Sequence, residues 1–268
     1  VLNPIGMFGT KLEADYHIIH AMRARIQNTI RCVREIPLEV EDVVYGPIAA
    51  AQVLLSRSNK ENGALVIDLG GGTTDFVLYS DGSVTQSGSV GLGGDHVTND
   101  ISIVLKLPQA KAAKVKEEHG SAWIDASLQG KTVTIDDEAR FVGTEVDLGM
   151  LNEIIHMRMR EVFELLKGKL EQGGFIGRVS DGIFLCGGCS MLEGVDKLAE
   201  EVLKLPVQRA NSAPVSGLTA TFENPQYAVP IGLIRYAQIL ENERPRRGAL
   251  ARVGEKLTSF FGAARLFS

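Results

Sequence analysis

Apolar residues along this chain follow two different periods, and segments of the two kinds alternate. Apolar runs at 64–68, 74–79 and 83–90 have the length of β-strands, and Asp81-Gly82 is typical of a hairpin turn. Over 151–170, apolar residues spaced three or four apart predict one long amphipathic helix. Strand and helix patterns in alternation indicate an α/β fold.

The same patterns predict further elements on either side of these. They are a strand at 12–20, a helix from there to Arg34, a helix at 47–55, a helix capped by Asp95, a helix at 108–120, strands at 132–135 and 183–186, a helix carrying Val195, Leu198 and Val202, and a helix at 225–240. The polar stretch 60–63 reads as a break between elements.

The pattern of the last 28 residues predicts a linker followed by an amphipathic helix. Residues 241–248 (ENERPRRG) are charged and contain Pro245, which is typical of a linker. Over 249–268, at about 100° per residue, one apolar face collects Leu250, Val253, Leu257, Phe260, Phe261, Ala264 and Phe267. Arg252, Glu255 and Ser259 point away, while Lys256 and Arg265 flank the face, where long basic side chains reach lipid headgroups. The pattern favours a helix lying on a membrane surface over one docked on its own body.

Composition fits a folded protein and excludes several classes. Apolar residues make up 44% of the chain and charged residues 23%, as in ordinary globular domains. Three cysteines in 268 residues are too few for a disulfide framework, so we expect a reducing cytosol. No run of 18 apolar residues occurs, so no membrane-spanning helix is predicted. The chain opens at Val1 in mid-pattern without a signal peptide, and we expect upstream residues to be missing.

The net charge of −5 is distributed unevenly. Residues 241–268 contain six basic and three acidic side chains, which puts +3 on this tail and −8 on the rest of the chain. An acidic body argues against nucleic acid as a partner, and a basic tail favours an anionic surface.

A glycine run between two predicted strands is the main candidate for chemistry. In VIDLGGGTTDF, Gly70, Gly71 and Gly72 leave backbone amides free to converge on an anion, and Thr73 and Thr74 add hydroxyl donors. Asp68 would repel a phosphate, but it fits a hydrated magnesium ion. An ordinary tight turn is the alternative. The segment is not a P-loop, because the only Gly-Lys-Thr, at 130–132, lacks the preceding glycine.

A second glycine cluster, LCGGCSMLEG at 185–194, again follows a strand and opens a helix. Such a helix start offers amides to a nucleotide, although it is also an ordinary strand-to-helix turn. Cys186 and Cys189 have the spacing of a metal or redox motif, but no histidine lies near them in sequence. The five histidines are scattered without ligand spacing, so core or surface roles are expected for them.

Taken together, these stretches resemble the actin/Hsp70/sugar-kinase superfamily, and most closely the bacterial cell-division FtsA family. NPIGMFGTKLEADYHII resembles the return from that family's extra subdomain, VIDLGGGTTDF its second phosphate hairpin, VGLGGDHVTNDI the following loop and helix, and LCGGCSMLEG its adenosine turn. The likeness runs from Asn3 to about Leu240 in the family's order. It implies an actin-like (RNase H-like) ATPase fold with a partial first lobe, a complete second lobe and a C-terminal amphipathic helix.

The resemblance also implies boundaries and a site. Residues 1–59 would be the remainder of the first lobe and 60–240 the second lobe, with an inserted subdomain at about 95–149 and helices 47–55 and 225–240 as connectors. ATP phosphates would contact Gly70, Gly71, Gly72, Thr73 and Thr74, Asp68 would hold Mg²⁺ through water, and Gly187, Gly188 and Ser190 would lie against adenosine.

Three departures from the family pattern stand out. The first phosphate hairpin and the extra subdomain are absent, so the chain resembles a C-terminal part, and we expect weak ATP binding from it alone. Ala113 replaces the glutamate of an AExIK-like stretch, which leaves Lys116 for the ribose, with Lys111 or Glu117 as substitutes. Cys189 replaces the third glycine of the adenosine turn, which would crowd the base unless the backbone there suits other residues.

The resemblance implies an ATP-binding adaptor, at most a weak ATPase, without a catalytic residue of its own in this chain. It would form filaments, bind the C-terminal peptide of FtsZ through a surface within 95–149, and meet other division proteins at the cytoplasmic face of the inner membrane. Two alternatives remain open from sequence: a small-molecule kinase of the same superfamily, and an FtsA-like pilus-assembly adaptor that lacks the tail.

Overall fold

The computed structural model of the protein describes residues 6–135, 144–209 and 224–243. Its strands are β1 (Ala64–Leu69), β2 (Thr74–Ser80), β3 (Ser83–Val90), β4 (Thr132–Ile135), β5 (Thr144–Asp147), β6 (Ile183–Cys186) and β7 (Val207–Arg209). Its α-helices are α1 (Arg23–Arg34), α2 (Gly46–Leu54), α3 (Arg57–Asn62), α4 (Gly94–Val104), α5 (Gln109–His119), α6 (Leu148–Gln172), α7 (Val195–Leu203) and α8 (Ala228–Glu243). The alternation confirms the predicted α/β class.

Five strands form one mixed sheet in the order β3-β2-β1-β6-β7. The first three strands are an antiparallel meander, and β6 and β7 then add in parallel on the other side of β1. The turn from β2 to β3 is the predicted Asp81-Gly82 hairpin, in which both residues have positive φ, at 55° and 76°. A small separate sheet pairs β4 with β5.

Side chains of β1 alternate between two cores because successive residues point to opposite faces of the sheet. Leu65, Ile67 and Leu69 pack with helices α4 to α7 in the larger core. Ala64 and Val66 face the other way and join a smaller core with α2 and α8. Asp68 continues this second set, so the alternation directs its carboxylate to the α2 and α8 side.

The long helix α6 matches its prediction in both extent and buried face. Asp147 caps its first turn by accepting a hydrogen bond from the amide of Met150 at 2.9 Å. The predicted apolar face, which is Leu151, Ile155, Met159, Val162, Leu166 and Leu170, is buried throughout.

Helices α2 and α8 cross at very close range. A proline near the start of α2 suits the first helical turn, and Pro230 lies early enough in α8 to be tolerated. At the crossing, Gly232 leaves no space for a side chain, because a Cβ there would overlap the carbonyl group of Ala49. The two helices predicted as connectors therefore contact each other backbone to backbone.

The predicted strand at 12–20 is wrong. Residues 11–22 have no regular structure, and α1 follows them as predicted, but its apolar positions Ile26, Ile30 and Val33 are not buried. The segment touches the edge strand β3 through a hydrogen bond of 2.9 Å between the His17 ring and the Ser87 hydroxyl, but its backbone pairs with no described strand, as a strand requires.

Three short elements are present that the sequence patterns did not predict. They are α3, which replaces the expected polar break, and the strands β5 and β7. Ser56 and Asn59 form a capping box at the start of α3, and this local sequence signal could have predicted the start of the helix.

Candidate functional site

The glycine run between β1 and β2 forms a tight turn with exposed backbone. The amide of Gly70 donates to the carbonyl oxygen of Thr73 at 3.0 Å, which closes the turn and leaves Gly71, Gly72 and Thr73 exposed. Nothing lies within 4 Å of a Cβ built at Gly72. The turn is therefore open to an anion approaching from solvent, which is the geometry that phosphate binding by backbone amides requires.

The first turn of α4 lies directly on this hairpin. The amides of Gly94 and Asp95 donate to the carbonyl oxygens of Gly70 and Gly71 at 3.0 and 2.8 Å. The approach is possible because Gly93 has no side chain; a Cβ there would lie 2.5 Å from the carbonyl oxygen of Gly71. These contacts fix the position of the hairpin relative to α4.

The prediction that Asp95 caps this helix is wrong. Gly93 is the capping residue and Asp95 lies in the first turn. The Asp95 carboxylate there lies close to the position that a Cβ of Gly71 would occupy. The helix starts earlier than predicted because its leading amides are satisfied by the hairpin carbonyls, so no side-chain cap is needed.

The two threonines of the turn differ in environment. Thr73 is exposed, and its hydroxyl donates to the Asp75 carboxylate at 2.8 Å. Thr74 is completely buried, and its hydroxyl donates to the carbonyl oxygen of Leu92 at 2.9 Å. Contact of either residue with phosphate stays a prediction, and the Thr74 hydroxyl would have to leave Leu92 to make it.

Asp68 lies at the end of β1, directly opposite Asp75 on β2. Burial, with the neighbouring Asp75 charge as a smaller cause, raises the pKa of Asp68 to about 6. A Cβ at Gly187 would overlap the Asp68 carboxylate. Only a glycine, with its φ of 87°, therefore lets the backbone of the second glycine turn lie against Asp68. A carboxylate with a raised pKa is one that a cation would stabilise in its ionised form.

Tyr45 lies next to the pair of carboxylates formed by Asp68 and Asp75, and it was not identified from the sequence. Its hydroxyl donates to the carbonyl oxygen of Gly88 at 2.6 Å and lies 3.4 Å from the Asp75 carboxylate. Burial, with Asp75 as the next cause, raises the pKa of Tyr45 far above its usual range. A lone tyrosine before Gly-Pro carries no local signal of this contact, because Gly88 lies 43 residues further along the chain.

The second glycine turn follows β6 and is braced from within. The Gly187 amide donates to the carbonyl oxygen of Pro225 at 3.2 Å, and the buried Ser190 hydroxyl donates to the carbonyl oxygen of Gly187 at 2.7 Å. Gly188 is exposed, with nothing within 4 Å of a Cβ built on it. Of the three residues predicted to meet adenosine, Gly188 is the one that the structure leaves open, and contact through Ser190 stays a prediction.

Cys189 fits the turn despite replacing a glycine. It is not among the described non-glycine residues with positive φ, so its backbone is in an ordinary region. Its thiol occupies the space beside Gly94, where a Cβ would collide with the sulfur. Burial raises the pKa of the Cys189 thiol, and the nearby Lys116 opposes that shift.

A cavity of about 630 Å³ connects the two glycine turns. Gly71 and Asp95 line it on the hairpin side, and Gly188 and Met191 line it on the side of the second turn. The walls also include Lys116 and Glu117 of α5, so three of the predicted nucleotide residues, Gly71, Lys116 and Gly188, meet in one space. A cavity of this size suits a small organic ligand.

The remaining predicted residues do not line this cavity. Asp68 lies on the other face of the sheet end, and among the described residues no group of three or more His, Cys, Asp or Glu side chains is arranged to hold a metal ion. Binding of Mg²⁺ to Asp68 therefore stays a prediction that relies on water as the main ligand.

The predicted membrane residues fall outside the described part of the chain. They are Leu250, Val253, Lys256, Leu257, Phe260, Phe261, Ala264, Arg265 and Phe267. In the part that is described, no helix is long and apolar enough to cross a bilayer.

Solved structures with a similar fold are actin-like. MreB5 of Spiroplasma citri bound to ADP superposes with a TM-score of 0.67 at 20% identity, covering 84% of this chain and 69% of that one. The PilM-PilN complex of type IV pilus biogenesis superposes with a TM-score of 0.60 at 19% identity, covering 78% and 56%. At these identities the likeness establishes the fold, and the predicted actin-like α/β class is confirmed.

Sequence relatives lead to one family. The cell division protein FtsA of Pseudomonas aeruginosa is 34% identical over 236 residues, which are 88% of this chain and 57% of that protein. FtsA of Borreliella burgdorferi is 33% identical over 258 residues, covering 96% and 62%. The chain thus spans about three fifths of the length of these relatives. The model of the cell division protein FtsA family matches residues 65–232, and the chain belongs to that family.

Proposed function

We propose that this chain is the greater part of an ATP-binding, actin-like adaptor that tethers filaments of FtsZ to the inner membrane at the division site. The observation that carries the nucleotide part is the cavity of about 630 Å³ between the two glycine turns. The exposed backbone of Gly71 and Gly72 would take the phosphates, and Gly188 would lie against adenosine. Membership of a cell-division family supports the cellular role.

Asp68 would hold Mg²⁺ through water in this proposal. When bound, the ion would neutralise phosphate charge, and the acidic surroundings of Asp68 and Asp75 would favour a cation at this edge of the sheet. The chain's own residues bind and orient the nucleotide. In this proposal the nucleotide controls assembly more than it is turned over.

The proposed organisation follows the close crossing of α2 and α8. Residues 1–59 would be the remainder of a first lobe, and 60–240 would form the second lobe, with the FtsZ-binding surface in the inserted subdomain at about 95–149. Support for the first part comes from the segment before α1, which presents Phe8, Leu12, Tyr16 and Ile18 to solvent. Apolar side chains in such number are expected where another surface covers them.

Attachment to the membrane is proposed for residues 249–268. The predicted linker bounds of 241–248 need correction, because residues 241–243 belong to α8. Support comes from sequence alone: an apolar face with basic residues at both edges, on a tail of charge +3. Basic residues near an anionic leaflet contribute about 1 kcal/mol each. The acidic body would be repelled by the same surface, so only the tail would make contact.

The nucleotide proposal is tested by filling the cavity from its open side. Gly188→Val places a side chain where nothing lies within 4 Å, so the fold is expected to accept it while the cavity loses volume. We expect the Kd of the full-length protein for Mg-ATP to rise by at least about tenfold, or about 1.4 kcal/mol. Isothermal titration calorimetry measures this directly.

Gly177→Val is the matched control. Gly177 also has nothing within 4 Å of its Cβ position and does not line the cavity, so ATP binding should be unchanged. Equal affinities for the two variants, or no binding of ATP by the unmodified full-length protein, would refute the proposed nucleotide site.

A further inference from the structure

The ammonium group of Lys116 makes a closed set of contacts with the first turn of α4. Its Nζ donates to the carbonyl oxygen of Gly94 at 3.0 Å and to the hydroxyl of Thr98 at 2.8 Å. That hydroxyl in turn donates to the same Gly94 oxygen at 3.0 Å. Thr98 is buried and does not line the cavity, so this arrangement is part of the protein's framework.

Gly94 links Lys116 to the phosphate hairpin by hydrogen bonds. Its carbonyl oxygen faces Lys116, and its amide donates to Gly70 on the other side. The adjacent amide of Asp95 donates to Gly71. A short series of hydrogen bonds thus runs from α5, through the first turn of α4, to the backbone of the two glycines that would meet the phosphates.

The packing around this series leaves little room for movement. A Cβ at Gly94 would collide with the Cys189 sulfur, and one at Gly93 would lie 2.6 Å from the carbonyl oxygen of Gly70. Displacement of the α4 turn would therefore be transmitted to the hairpin rather than absorbed between them.

A lysine at this place also has an electrostatic cost. The N-terminal end of a helix repels cations, so the ammonium group lies at the unfavourable end of α4. Its two acceptors, Gly94 and Thr98, offset that cost, and they account for two of the three N–H bonds that a lysine can donate. This arrangement favours a structural role for two of the donors over a role as a free ribose contact.

We infer that Lys116 is a positioning residue, which holds the phosphate hairpin in place through the first turn of α4. The inference rests on the proposed nucleotide site and corrects the idea that Lys116 serves chiefly the ribose. Its consequence is specific: Lys116 matters for the phosphate part of a nucleotide more than for the nucleoside part.

The first arm of the test needs no nucleotide. In the full-length protein, Lys116→Met and Thr98→Val should each speed hydrogen exchange at the amides of Gly94 and Asp95 by about tenfold, because both remove the support of that turn. Thr98→Ser keeps the hydroxyl, and Lys114→Met changes an exposed lysine of α5, the helix that carries Lys116. In both variants the amides of Gly94 and Asp95 should exchange at the rate of the unmodified protein. Unchanged exchange in Lys116→Met and Thr98→Val would overturn the inference.

The second arm compares Mg-ATP with adenosine. Lys116→Met and Thr98→Val should weaken ATP binding by about tenfold and adenosine binding by less than about threefold, and the double variant should lose little more than either single one. Equal losses for both ligands, confined to Lys116→Met, would identify a direct nucleoside contact and overturn the inference. If the unmodified protein binds neither ligand, the proposed site fails, and the exchange arm alone decides whether Lys116 positions the hairpin.

Discussion

At the scale of single residues, Asp68 is held in a place that is unfavourable for its charge. Its folded pKa of about 6 exceeds the usual 3.8 because of burial and then Asp75. The folded state therefore binds more protons than the unfolded state between these values, and the free energy of unfolding falls as pH rises through that window. Above pH 6 the free energy of unfolding stays lower by the full amount, about 2–3 kcal/mol.

Replacing the carboxylate should consequently stabilise the protein. Without magnesium, Asp68→Asn should unfold at a higher urea concentration than the unmodified protein at pH 7.5, by about 2 kcal/mol, with the gap closing towards pH 4. Added Mg²⁺ should stabilise the unmodified protein only. A gap of the same size at every pH would contradict this account.

Asp75→Asn serves as the control for the second cause. It keeps the Asp68 carboxylate but removes the charge opposite it, so the pH dependence should become shallower without vanishing. A variant of this kind separates the burial of Asp68 from its repulsion by Asp75.

How far the site could be predicted from sequence differs between backbone and side chains. The glycines at 70–72 and 187–188 were identified because a glycine run after a strand leaves backbone amides free for a ligand, although an ordinary turn was the alternative. The partners of Thr74 and Ser190 were not predictable, since a hydroxyl can serve a ligand or a nearby carbonyl equally well. Which it serves depends on a packing geometry that the residue type does not reveal.

At the scale of elements, the crossing of α2 and α8 depends on one glycine. In a helix interior, glycine to alanine normally stabilises by about 0.5–1 kcal/mol. At Gly232 the added methyl would overlap the Ala49 carbonyl group and lie 2.9 Å from the Ala50 amide nitrogen. Gly232→Ala should therefore destabilise the protein, by about 1–3 kcal/mol, because the helices must move apart.

Gly168→Ala is the matched control for this prediction. Gly168 lies inside α6 with nothing within 4 Å of its Cβ position, so the ordinary gain of about 0.5–1 kcal/mol should appear. Urea unfolding of the two variants should move in opposite directions from the unmodified protein. If both variants were more stable, the close crossing would have no energetic role.

Elements with their own periodic pattern were predicted, and elements defined by their partners were not. Helix α6 shows its buried face over 25 residues, β1 and β2 contain apolar runs, and the Asp81-Gly82 turn signal joins β2 to the more polar β3. The segment 12–20 has strand-like composition but its backbone pairs with no described strand, and β7 is only three residues long. Pairing is a property of two segments, so one segment's sequence cannot decide it.

At the scale of the whole molecule, the chain combines a well-packed body with an uncovered N-terminal part. No residue from 6 to 46 is buried, although this part includes α1 and several large apolar side chains. The body around the five-stranded sheet encloses two cores on opposite faces. The proposed first lobe would give the exposed side chains a partner, so a polypeptide that includes it should be better packed than this one.

The proposed membrane contact is a property of the whole molecule because it links an acidic body to an anionic surface through one helix. Deleting 249–268 should abolish co-sedimentation of the full-length protein with vesicles that contain phosphatidylglycerol. A finer test substitutes one of two neighbouring residues that lie on opposite faces of the predicted helix. Phe260→Gln removes an apolar contact worth about 1.5–3 kcal/mol, so vesicle binding should weaken by at least about tenfold. Ser259→Gln changes the polar face and should bind as before. Equal pelleting of the two variants would show that the apolar face does not enter the membrane.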